Sequence, residues 1–134
     1  MIKVSREEFE DLVERAIQRL PKTHRENLKN IAFIVEDEPN QEQRVELQLR
    51  NDQSLLGLYQ GVPLSRRQGQ VRIYPDKITI FQTPIEEHCD TLAELREQIG
   101  RTVWHEVAHY YGLNHEQIGE LEAKEKLRKY KFKS

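Results

Sequence analysis

The stretch that decides the reading of this chain is His105-Glu106-Val107-Ala108-His109-Tyr110-Tyr111-Gly112-Leu113-Asn114-His115. Three of the chain's five histidines fall within it. On a helix, residues four apart differ by about 40° in direction and about 6 Å in height, so the imidazoles of His105 and His109 can converge on one ion. Glu106 is turned by about 100° from His105, which puts its carboxylate beside such an ion, within reach of a bound water, as a general base requires. Gly112 suits the left-handed turn that ends a helix, and the turn lets His115 come back as a third nitrogen ligand. Three neutral imidazoles leave a fourth tetrahedral position open, the mark of a catalytic rather than a closed structural site. One Zn²⁺ ion fits this donor set, and iron, cobalt or nickel also accept imidazole. Cys89, the only cysteine, lies about 20 Å from His105 along the helix axis and is not expected to reach the ion.

Working outward, Thr91 and Glu94 form a capping box, and Leu92, Leu95, Ile99 and Val103 continue as an apolar stripe, predicting one long helix from residue 91 to Gly112. Ser5 and Glu8 form a second capping box ahead of Phe9, Leu12, Val13, Ala16, Ile17 and Leu20, which predicts an amphipathic helix over 5–20, stopped by Pro21. Ile31 to Val35 reads as a buried strand. Residues 43–50 alternate at Val45, Leu47 and Leu49, which suits a half-exposed strand. Leu55 to Gln60 is a further apolar segment, and Gly57 inside it marks a bulge or a close approach. Lys77 to Gln82 alternates at Ile78 and Ile80, the pattern of a strand with one wet side, and Thr83-Pro84 breaks it. A final helix is expected over roughly 115–130.

The 134 residues are 37% hydrophobic and 33% charged, which describes one domain over 1–134 with a small core. The longest apolar run, Ile31 to Val35, is far short of the roughly 20 residues that span a bilayer. Arg6, Glu7, Glu8, Glu10 and Asp11 stand where a secretory signal would be apolar, so a cytoplasmic protein with no membrane contact is expected. The net charge of -2 divides into a tail from Lys124 to Ser134 at +5 and a body at -7. That body argues against a nucleic-acid backbone as partner.

The His105-to-His115 segment resembles the HExxHxxGxxH signature of the zincins. The only methionine is Met1, so the methionine turn of the metzincin branch is missing. The chain is more similar to the small single-domain bacterial zincin-like metallopeptidases, the minimal zincins. The likeness extends to Leu55-Leu56-Gly57-Leu58-Tyr59-Gln60-Gly61-Val62-Pro63-Leu64 and Pro75-Asp76-Lys77-Ile78-Thr79-Ile80-Phe81, about half the chain with the helix included. The resemblance implies an α+β fold: a short mixed sheet packed on the active-site helix, with an N-terminal backing helix. It also implies a zinc metallopeptidase acting on a peptide or protein, with His105, His109 and His115 as ligands and Glu106 as the base. An oxyanion-stabilising partner is sought among Tyr59, Arg66, Arg67, His88, Tyr110 and Tyr111. His24 reads as a surface residue and Trp104 as a packing one. Two other readings share the ligand spacing: a metal-dependent endoribonuclease of the rRNA-maturation type, and a metal-binding module without turnover. Glu106 and the acidic body weigh against the first.

Overall fold

The computed structural model describes residues 1–61, 75–113 and 116. Their order is α1 (Arg6–Gln18), α2 (Lys22–Glu26), β1 (Ile31–Glu36), α3 (Gln41–Glu46), β2 (Gly57–Gln60), β3 (Asp76–Phe81), α4 (Gln82–Glu87) and α5 (Leu92–Tyr110). The three strands form one mixed sheet in the order β1-β3-β2. β1 runs parallel to β3, from Ile31 opposite Asp76 to Glu36 opposite Phe81. β2 runs antiparallel to β3, from Gly57 opposite Ile80 to Gln60 opposite Lys77. This is the expected α+β arrangement.

Both long helices start as their sequences dictate. Ser5 accepts from the Glu8 amide and Thr91 from the Glu94 amide, each with the glutamate reaching back to complete a capping box. Phe9, Leu12, Val13 and Ala16 turn inward from α1 and meet Leu95, Ile99, Val103 and Val107 of α5 in one apolar cluster with Ile78 and Ile80 of the sheet. α1 therefore does back α5. At the other end of α5, Gly112 takes φ 87°. Its amide bonds the His109 carbonyl at 2.9 Å and the Leu113 amide bonds that of Ala108 at 3.1 Å. That pair of bonds is the Schellman termination a glycine permits.

Two readings need correction. Residues 43–50 are not a strand: α3 covers 41–46, capped by Asn40 and Gln43 in a third capping box, and Gln48 then turns left-handed at φ 55°. Gln41-Glu42-Gln43-Arg44 are helix formers behind a good cap. The alternating apolar residues that suggested a strand have no core to face, since Val45 and Leu47 are exposed. The second concerns β3, which has no wet side. Thr79 and Phe81 are as completely buried as Ile78 and Ile80, because β3 is the central strand. It ends at Phe81, and Gln82 to Glu87 form α4, a short helix where a break was expected. Pro84 is tolerated in its first turn, where backbone amides lack helical partners in any case. Among the described residues, no helix is long and apolar enough to cross a membrane. The helix expected over 115–130 lies outside the described residues, apart from Glu116.

Candidate active site

α5 carries His105, Glu106 and His109 in consecutive turns. The two imidazoles stand 4.9 Å apart between ring centres at 75° to each other, both half-buried, as their four-residue spacing requires. Such a pair suits an ion that takes nitrogen donors. Among the described residues no set of three histidine, cysteine or acidic side chains is placed to hold a metal. His115, expected as the third donor, lies outside the described residues, as do Arg66 and Arg67.

Between the two histidines in sequence, Glu106 reaches toward the sheet, and only 7% of it is exposed. What makes room for it is Gly57 of β2. A Cβ at position 57 would lie 2.7 Å from Thr102 Cγ2, 3.0 Å from Glu106 Cγ and 3.3 Å from Glu106 Oε2. The β2 register is continuous through Gly57, so this glycine marks close approach and not a bulge. Two residues on, the Tyr59 backbone amide donates to the Glu106 carboxylate. Burial outweighs that bond and pushes the Glu106 carboxyl up to about 7 from 4.5. A cation at the imidazoles would act in the opposite sense by favouring the carboxylate. A carboxyl tuned near neutrality and pinned by a strand is well suited to take up and return a proton.

β2 is itself anchored from behind. The Tyr59 hydroxyl donates to Asp76 Oδ2 at 2.6 Å, and Asp76 is wholly buried. Gly61 closes over the same carboxyl in a conformation with φ 156°, where a Cβ would collide with Asp76. The Tyr59 ring meets Tyr110 of α5 edge-on, with 6.1 Å between centres. Thus β3 holds Tyr59, Tyr59 holds β2 against α5, and β2 seats Glu106. Asp76 gave no warning of this role in the sequence, because an aspartate after Pro75 reads as a turn.

Of the residues considered as an oxyanion partner, the tyrosines are engaged elsewhere. Tyr110 is fully buried, and its hydroxyl accepts from the Lys29 amide and donates to the Lys29 carbonyl. Tyr111 donates to the His24 carbonyl at 2.6 Å, and Tyr59 is committed to Asp76. His88 ends α4, with Nδ1 2.7 Å from the Pro84 carbonyl. His24 is no simple surface residue. It is half-buried against Trp104 and Tyr111, with ring centres 5.3 and 5.6 Å away. Trp104 packs the helix as expected, at 9% exposure.

Comparison with known proteins covers the segment and the fold around it. A family model described as zincin-like metallopeptidase matches residues 28–125, a span that contains β1 to β3, α5 and the whole His105-to-His115 segment. Among solved structures, a conserved hypothetical protein from Thermo thermophilus aligns with a TM-score of 0.52 at 18% identity, covering 90% of this chain and 99% of that one. That likeness is one of fold. No curated protein matches.

Proposed function

The chain belongs to the zincin-like metallopeptidase family, and from that premise we propose that it is a zinc-dependent peptidase in which His105, His109 and His115 hold the ion and Glu106 is the general base. The observation that carries this reading is the seat of Glu106: a carboxylate on the helix that sets two imidazoles side by side, buried, propped by the Tyr59 amide and given space by Gly57. A bound zinc ion supplies an acidified water and polarises a substrate carbonyl. Glu106 would remove the proton from the attacking water and pass it to the departing amine nitrogen. The Tyr59 N–H keeps the carboxylate from rotating away between the two transfers. The hydrophobic wall formed by Val103 and Val107 fixes the helix that presents all three side chains.

The substrate is a peptide or protein, and the chain acts as one domain. The test is to load the protein with zinc, confirm the metal by elemental analysis, and profile cleavage of a peptide library by mass spectrometry. Wild type is expected to hold about one equivalent and to cleave. His105→Ala and His109→Ala should lose the metal. Glu106→Gln should keep it while cleavage falls by about 10²-fold or more. Equal cleavage by wild type and Glu106→Gln would remove Glu106 from the chemistry. A metal-free wild type after zinc loading would remove the site altogether.

A further inference from the structure

Where the N-terminal segment crosses α4, a cavity of about 630 Å³ opens between Lys3, Val4, Arg6, Asp37, Gln82 and Glu86. None of the residues lining it belongs to β2 or α5, so it is separate from the candidate active site. Its wall is built by a chain of polar contacts. Glu86 is 4% exposed, and its Oε2 accepts from the Val4 amide at 3.0 Å and from Gln82 Nε2 at 3.0 Å. Gln82 Nε2 also donates to the Val4 carbonyl, and Gln82 Oε1 accepts from Arg6 Nε at 2.9 Å. The rest of the Arg6 guanidinium is taken by the Val35 carbonyl and by an ion pair with Asp37.

Glu86 is left without a cation. Among the described residues, Arg6 pairs with Asp37 and the Met1 ammonium with Asp90, and no ion pair includes Glu86. Its second oxygen, Oε1, receives no hydrogen bond among the described residues and is not sealed from solvent, so the little surface Glu86 keeps opens on the cavity. A carboxylate taken this far out of water is costly unless a positive, hydrogen-bonding group meets it. The complement is not a metal ion held by three protein ligands, since no such set exists among the described residues, and the volume is far larger than an ion needs.

We propose that this cavity binds a small organic amine through its primary ammonium group, which donates to Glu86 Oε1 with Glu87 lending its charge at the rim. Three cations also line the cavity: Arg6 and the Met1 ammonium are offset by Asp37 and Asp90, and Lys3 adds a like charge that opposes the ligand.

The test uses the zinc-loaded full chain, ¹⁵N-labelled, titrated with putrescine and, as an anionic control of similar length, with glutarate. The Val4 amide, bonded to the other oxygen of Glu86, should shift saturably with putrescine at a midpoint of about 1–10 mM and stay still with glutarate. Glu86→Gln keeps an oxygen for both amide contacts and should weaken binding about tenfold. Lys3→Gln changes only an exposed side chain and should tighten it about threefold. A Val4 amide unmoved by putrescine, or equal affinity in wild type and Glu86→Gln, overturns the proposal. If Glu86→Gln does not fold, an unchanged midpoint in Lys3→Gln overturns it instead.

Discussion

Adding one methyl group at Gly57 is the sharpest way to ask whether β2 seats Glu106. An alanine Cβ would stand 2.7 Å from Thr102 Cγ2 and 3.0 Å from Glu106 Cγ, where carbon atoms rest at about 3.5–4.0 Å. β2 and α5 must therefore part by on the order of 1 Å, an overpacking cost of about 1–3 kcal/mol. The backbone of Gly57 is not left-handed, so alanine is allowed there and regains about 0.5–1 kcal/mol by restricting the unfolded chain. The net loss should be about 1–2 kcal/mol, or about 4–8 °C in melting temperature for a domain of this size. Thr102→Ser deletes the offending Cγ2 but keeps the hydroxyl that accepts from Gln98 Nε2 at 3.1 Å. Gly57→Ala/Thr102→Ser should then be more stable than the sum of the single changes by about 1 kcal/mol. Urea denaturation of the four proteins measures this, and zinc content should be unchanged throughout, because the atoms an alanine Cβ would meet belong to Thr102 and Glu106 and not to an imidazole. Displacing Glu106 by such a distance should lower cleavage by about 10²-fold. Strict additivity, or a Gly57→Ala protein as stable as wild type, would refute the close-packed seat.

Two other consequences follow from the same site. Glu106 is raised in the metal-free folded protein from 4.5 to about 7, so between those values the native state holds a proton that the unfolded chain has released. Its contribution is complete below pH 4.5 and is lost as pH rises through 7, a fall of about 3 kcal/mol. In Glu106→Gln that fall should vanish, and chemical denaturation of the two metal-free proteins from pH 4 to 8 should show the curves diverging above pH 4.5; parallel curves would contradict the burial of a titrating Glu106. Tyr59→Phe removes the hydroxyl that donates to the wholly buried Asp76 and should cost about 2–3 kcal/mol, whereas a loss under about 0.5 kcal/mol in urea would mean that Asp76 does not depend on Tyr59.

The parts of this molecule that were readable without coordinates are those whose causes are local. Ser5 with Glu8 and Thr91 with Glu94 are complete start signals, and the apolar stripes behind them need only the helical period to be seen. His105 and His109 are legible for the same reason, since their convergence is a property of one helix. Val45, Leu47 and Leu49 misled because alternation signals a strand only if one side meets a core, and coverage is not written in the residues themselves. Thr79 posed the converse problem: a polar side chain suggested water, yet a central strand is covered on both faces. Gly57 announced that something would come close without saying what. Its partners, Thr102 and Glu106, lie 45 and 49 residues away, and Asp76 acquires its role only when Tyr59 is laid beside it.

The parallel pairing of β1 with β3 joins Ile31 to Asp76 across 45 residues, and that separation sets an order of events during folding. Closing a loop of this length costs on the order of 3 kcal/mol in chain entropy before any pairing repays it. A turn of α5 brings His105 and His109 together without waiting for the sheet. The pocket of Glu106 needs β2 as well, which pairs with β3 and packs on α5. On the proposed reading, the imidazole pair would then be in place before the Glu106 carboxylate is seated, so that metal loading would come ahead of catalytic competence.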